Sequence, residues 1–181
     1  MKPPRGSYQA VLYLDYDGPL HHDNCLWHPR RGAYLHAPAG HVLFQHASLL
    51  AELLAPHPHI VIVLSTSWVR QYGCYDAAKR LPDSLRSRVI GATYHSQMPS
   101  GFWDKPRWLQ IWEDVLRRSP GSWLAIDNDV ADWPPELERH LVAADDAYGI
   151  SPLGIQENLR RRLALLSKLE LPAVAPSPRR S

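Results

Sequence analysis

Asp15 and Asp17 stand one residue apart at the end of the apolar run Val11 to Leu14, and Gly18-Pro19 follows at once. Two later apolar runs finish in the same way. Ile60 to Leu64 leads into Ser65-Thr66-Ser67, and Trp123 to Ile126 leads into Asp127-Asn128-Asp129. Each cluster alone has a structural reading, because Asp, Ser and Asn are ordinary N-cap and turn residues. A cap needs one acceptor, however, whereas Asp15, Asp17 and Asp127 together supply three carboxylates. Carboxylates held close to one another repel, and each has its pKa raised unless a cation is shared between them. Few carboxylates and all-oxygen ligands suit Mg²⁺, which keeps several waters and meets a phosphate in the same site.

These clusters act together only if the elements before them bring them to one place. Gln9 to Leu14 reads as a buried strand, Ile60 to Leu64 (IVIVL) as a second and Trp123 to Ile126 as a third. Between them, Leu43, Phe44, Ala47, Leu50, Ala51 and Leu54 recur at helical spacing until Pro56 and Pro58 stop the pattern. Helical stretches are also expected from Trp68 to Leu81, from Arg107 to Arg118 and from Ile155 to Leu169. Short apolar segments at Val89 to Ala92 and Leu141 to Ala144 complete the series. Strand and helix alternate, which predicts an α/β fold with a mostly parallel sheet. In such a sheet ligands bind beyond the carboxyl ends of the strands, so all three clusters should meet on one edge.

The 181 residues are the size of one ordinary domain, expected over residues 1–170, with a frayed tail over 171–181. Residues 18–42, rich in Pro, Gly, Arg and His, show no clear period and read as an irregular insertion. A 45% hydrophobic content with 21% charged residues is that of a soluble protein, and a net charge of +2 neither requires nor excludes a polyanionic partner. The two cysteines, Cys25 and Cys74, make no disulfide framework, and MKPPRGSYQA lacks the apolar stretch of a secretory signal. A cytoplasmic location and no membrane association follow as expectations.

LDYDGPL resembles the D-x-D-G-x-[LT] nucleophile motif of the haloacid dehalogenase (HAD) superfamily of phosphohydrolases. IVLST resembles the second motif of that superfamily and WLAIDND the fourth, in the same order. More closely, LLAELL, IVLSTSW, LRSRVIGATY, RWLQIWEDVL, WLAIDND and YGISPLGIQENL are together similar to the small HAD domains associated with Swiss Army Knife RNA-repair proteins. The resemblance implies a three-layer Rossmann-like HAD fold; the short stretch between the first two motifs and the length of 181 residues predict no large cap domain and hence an open site.

The same resemblance implies that Asp15 is a nucleophile forming an aspartyl-phosphate and that Asp17 is the acid and base. Thr66, with Ser65 beside it, falls where the phosphoryl-binding hydroxyl lies. Asp127 and Asn128 fall on the fourth motif and join Asp15 and Asp17 as residues implied to hold Mg²⁺, with Asp129 and Asp132 behind them. The cation of the third motif falls on Arg107, which starts the corresponding helix, or on Lys105, which stands in a Lys-Pro pair. A phosphorylated substrate is implied, either an RNA or DNA end or a small phosphate ester. A phosphate-end or partner-binding module without catalysis is the alternative.

Two further features lie outside these motifs. HHDNCLWH offers His21, His22, Cys25 and His28 in a spacing that matches no standard zinc finger, and a rim beside the active edge is the simpler reading. Trp108, Trp112 and Trp123 have the positions of core residues. Trp27, Trp68 and Trp103 fall in loops or at element ends near the expected active edge, where an indole can stack on a substrate ring.

Overall fold

A computed structural model of the protein describes residues 10–168. Gln9 of the first expected strand, Leu169 of the last expected helix and the tail over 171–181 lie outside the described residues. Strand β1 (Ala10–Leu14) is buried along its whole length. Ala10, Leu12 and Leu14 face one core cluster while Val11 and Tyr13 face another, as a strand covered on both sides requires. Strands β2 (Cys25–His28) and β3 (Gly32–Leu35) form a separate antiparallel hairpin. Helix α1 (Ala47–Leu54), β4 (Val61–Leu64), α2 (Trp68–Ala78), α3 (Asp83–Arg86) and β5 (Val89–Ala92) follow. Helix α4 (Arg107–Arg118), β6 (Ser122–Asp127), β7 (Leu141–Ala143) and α5 (Leu153–Lys168) complete the order.

The main sheet is parallel throughout, in the order β5-β4-β1-β6-β7, with helices on both faces. In β1, Leu14 is level with Leu64 of β4 and with Ile126 of β6. The ladder runs one step further, since the Asp15 amide donates to the Ile126 carbonyl at 3.1 Å and the Ser65 amide to the Leu14 carbonyl at 2.8 Å. The three strand-end clusters therefore leave the sheet side by side. Helix α4 is pinned to the same central strand through Asp114, which accepts from the Tyr13 hydroxyl at 3.0 Å and from Arg118 Nε at 2.5 Å, and which also pairs with Arg117.

Three local expectations are corrected. The insertion over 18–42 is not irregular throughout, because it contains the β2–β3 hairpin. Helix α1 starts at Ala47 and not at Leu43, because Phe44 has φ +59°, outside the helical region. That conformation sets the Phe44 ring against Tyr16 at 5.2 Å and Trp68 at 5.1 Å. Helix α2 ends at Ala78 and breaks at Gly73, whose φ of +74° is open to glycine. Among the described residues there is no cap domain, and no helix is long and apolar enough to cross a membrane.

Candidate active site

The carboxyl ends of β1, β4 and β6 bring Asp15, Ser65-Thr66 and Asp127 together, and the first residue of α4 reaches in from the side. Arg107 Nη1 donates to the Ser65 carbonyl at 2.8 Å and Nη2 to Asp15 Oδ2 at 3.3 Å, while Nε lies 3.3 Å from Asp127 Oδ2. A cation at a helix N-terminus faces the positive end of the helix dipole, so this position is unfavourable on local grounds. The two buried carboxylates offset that cost.

Asp15 and Asp127 are both withdrawn from solvent, at 3% and 0% exposure. Burial raises the Asp15 carboxyl to about 6, with Arg107 pulling it down and the charge of Asp17 pushing it up. Hydrogen bonds from the Tyr16 amide, at 2.7 Å, and from the Thr66 hydroxyl favour its ionised form. Asp127 is raised well above the usual carboxylate range, first by burial and then by the charge of Asp15. Burial works against the Arg107 charge, but Asp15 and Asp127 more than offset it and hold the guanidinium above its usual value.

Two buried carboxylates thus face one guanidinium, and Asp127 Oδ2, although 3.3 Å from Arg107 Nε, accepts no hydrogen bond among the described residues. Excess negative charge and an orphaned buried oxygen fit a hard cation taking oxygen ligands. Asn128 stands beside this corner. Its amide nitrogen donates to Asp146 Oδ1 at 2.9 Å, which leaves the carbonyl oxygen of the amide as its free ligand atom. The Asp129 amide donates to Asp127 Oδ1 at 3.0 Å, and the Asp129 carboxylate is exposed, as is Asp132.

Asp17 faces a different set of neighbours. Trp68 Nε1–H donates to its Oδ1 at 2.8 Å, His21 Nε2 lies 3.0 Å from the same oxygen, and the Ser67 hydroxyl donates to Oδ2 at 3.3 Å. The Phe44 amide donates to His21 Nδ1 at 3.3 Å, so Nε2 carries the imidazole hydrogen toward Asp17. Burial pushes the Cys25 thiol up to about 12, and its hydrogen bond to Asp17 adds to the shift. The Asp17, His21 and Cys25 ligand atoms lie within 4.8 Å of one another. With both partners presenting hydrogens, the cluster is organised around Asp17 as acceptor. Of the histidines in HHDNCLWH, only His21 enters it. His22 pairs with Asp23, and His28 accepts from the Arg30 amide.

Lys105 and Arg107, alternatives in the sequence, point to different places. Lys105 Nζ donates to both Glu113 oxygens, at 2.6 and 2.8 Å, on a partly exposed surface. Thr66 Oγ1 accepts the Trp68 amide at 3.4 Å at the start of α2. Ser65 Oγ is buried without a hydrogen-bond partner among the described residues. Sequence reasoning passed over His21, Trp68 and Ser67 as neighbours of Asp17, and Asp146 as the neighbour of Asn128. Asp145-Asp146 follows β7 just as the other polar clusters follow their strands, a signal the sequence does carry.

The family model described as "HAD domain in Swiss Army Knife RNA repair proteins" matches residues 11–153 of the chain, from the first core strand to the start of α5. The comparison with curated proteins and the comparison with solved structures each give no match.

Proposed function

Since the chain belongs to the HAD superfamily, in the family of HAD domains of Swiss Army Knife RNA repair proteins, we propose that it is a Mg²⁺-dependent phosphomonoester hydrolase that works through Asp15. The observation that carries this reading is the convergence of buried Asp15 and Asp127 on Arg107 at the ends of adjacent parallel strands. Asp15, Asp127, Asn128 and, less directly, Asp17 are the residues that would hold Mg²⁺, which when bound offsets negative charge on the phosphoryl group.

In the first step an Asp15 carboxylate oxygen attacks phosphorus. The bond from phosphorus to the ester oxygen breaks, and Asp17 gives that oxygen its proton, so the alcohol leaves neutral. In the second step Asp17 takes a proton from water, whose oxygen attacks the phosphorus of the aspartyl-phosphate and frees Asp15 and phosphate. Trp68 and His21 both address Oδ1 of Asp17, which leaves Oδ2, beside the Ser67 hydroxyl, as the oxygen that carries the proton. The Thr66 hydroxyl binds a phosphoryl oxygen, and Arg107 compensates charge on the nucleophile and on the transferring group. Lys105 has no part in this scheme. The substrate is an RNA or DNA end or a small phosphate ester.

Phosphate release from a generic aryl phosphate tests the proposal. Release that depends on Mg²⁺ and is lost in Asp15→Asn, with the fold retained by circular dichroism, is the expected result. Undiminished release by that variant would overturn the role of Asp15.

A second reading is a phosphate-end binding module without turnover, favoured by Asn128 standing where the family often has an acid. Tight binding of phosphorylated over unphosphorylated oligonucleotides in Mg²⁺ with no phosphate released would favour it.

A further inference from the structure

Asp17, but neither Asp15 nor Asp127, also lines a cavity of about 160 Å³ between the β2–β3 hairpin and the start of α2. Its lining includes the indoles of Trp27, Trp68 and Trp103, the ring of Tyr72 and the Arg70 side chain. The volume is close to the roughly 150 Å³ that accepts a single benzene ring in an apolar protein cavity.

The walls are fixed by contacts with the rest of the protein. Trp68 is buried and held by its bond to Asp17, and Tyr72 packs on it at 5.5 Å. The Tyr72 hydroxyl accepts the Ala33 amide at 3.0 Å, which ties the hairpin to α2. Trp103 is backed by Tyr94 at 4.8 Å and by Phe102 at 5.3 Å. Trp27 is different, because it stands on the hairpin with 46% of its surface exposed and no aromatic partner among the described residues. A half-exposed indole in the wall of an aromatic cavity leaves a flat face on which a planar ring can stack. Arg70 lies 5.7 Å from the Trp103 ring centre and makes no ion pair among the described residues. The cavity thus offers flat aromatic walls and one positive charge that has no carboxylate partner among the described residues.

Its position says which part of a substrate it would take. In the proposed reaction Asp17 protonates the oxygen of the departing alcohol, and Asp17 is itself part of the cavity wall. The group inside the cavity is therefore the alcohol portion. We infer that this cavity is the leaving-group site and that it selects phosphomonoesters whose alcohol carries a flat heteroaromatic ring, as a nucleotide does, with the ring stacked on Trp27 and Trp103. Arg70 then faces a further anionic group on the same molecule. Sugar and polyol phosphates, which carry no aromatic ring, leave the indoles without a stacking partner and are poor substrates. The inference rests on the phosphohydrolase reading and adds the substrate class to it.

The test compares substrates that differ only in the ring. Adenosine 5′-monophosphate is set against ribose 5-phosphate, and oligonucleotides phosphorylated at the 5′ or 3′ end are set against the same strands with an abasic terminal residue. The expected result is a kcat/KM higher by about tenfold or more for the ring-bearing member of at least one pair. Trp27→Ala and Trp103→Ala should draw that ratio toward one, and Trp27→Phe, which keeps a ring, should retain most of it. Equal kcat/KM within every pair would overturn the inference and leave the phosphohydrolase reading standing. A strand end preferred over the mononucleotide identifies nucleic acid as the source of the ring, and the reverse order identifies free nucleotides. If nothing is turned over, calorimetric titration of the Asp15→Asn protein with the same pairs decides the matter. Ring-dependent affinity lost in Trp27→Ala upholds the cavity while the hydrolase reading fails, and equal affinities overturn it.

Discussion

His21 presents Nε2–H to Oδ1 of Asp17 at 3.0 Å, and the Phe44 amide on Nδ1 decides which nitrogen bears that hydrogen. His21 is fully buried and four residues beyond Asp17, so it is a positioning residue for the carboxylate and does not reach the phosphate itself. A misplaced acid matters most when the leaving oxygen most needs a proton. His21→Ala is therefore expected to lower kcat on alkyl phosphates at least about tenfold more than on an aryl phosphate, whose phenolate leaves without help. A uniform loss across both substrates would instead mark a purely structural role.

Asp15→Asn should lose activity and gain stability. With Asp15, Asp127 and Arg107 all buried, two carboxyl groups of the wild type compete for one guanidinium, and the variant leaves one carboxyl group with one guanidinium. The sign of the pH dependence follows from the raised carboxyl. A native group that titrates near 6 rather than 3.8 keeps its proton longer than the unfolded chain does, so its contribution is present below about pH 4 and lost as pH rises through 6. In metal-free buffer the variant should be more stable than wild type at pH 7.5, on the order of 1–3 kcal/mol. The gap should narrow to roughly half at pH 5. Adding Mg²⁺ should raise the wild-type Tm at pH 7.5 more than that of the variant. Thermal melts at the two pH values, with and without Mg²⁺, measure all of this.

Lys105 and Arg107 should respond very differently to loss of charge. Arg107→Met strands two buried carboxylates and is expected to cost about 3–5 kcal/mol in urea unfolding. Lys105→Met breaks a partly exposed pair with Glu113 and should cost less than about 1 kcal/mol, with phosphate release little altered. A large loss of activity in Lys105→Met with Arg107 intact would reverse this assignment.

Much of this arrangement is legible in the chain itself. Val11 to Leu14, Ile60 to Leu64 and Trp123 to Ile126 are apolar enough to demand burial on both faces, and the polar residues after each run mark one edge of a parallel sheet. What is hidden depends on backbone direction. Lys105 and Arg107 flank Pro106, and the sequence offers both as the cation of a helix start. The extended backbone of Lys105, with ψ of 143°, and the helical start at Arg107 send the two side chains to different partners. The hairpin has only four residues in each strand and none of them is fully buried, so its alternation is too weak to read. The neighbours of Asp17 were hidden because Phe44, with its positive φ, brings an amide to His21 that helical spacing places elsewhere.

Gly18 should tolerate no side chain. Its φ is +86°, and a Cβ built on it would lie 2.3 Å from Cγ of Asn128 and 2.4 Å from Oδ1. An L-residue therefore meets two penalties at once, a backbone region that costs about 1–2 kcal/mol and a collision with the amide beside Asp127. Asn128 cannot retreat without giving up its 2.9 Å bond to Asp146. Gly18→Ala is expected to destabilise the fold by about 2 kcal/mol or more, read from urea unfolding. It should also weaken activation by Mg²⁺, so that more cation is needed for half-maximal phosphate release. Asn128→Ala removes the obstructing amide, and the double variant should recover part of the stability lost in Gly18→Ala alone. Strict additivity of the two changes would show that the close approach of Gly18 and Asn128 does not constrain the turn after β1.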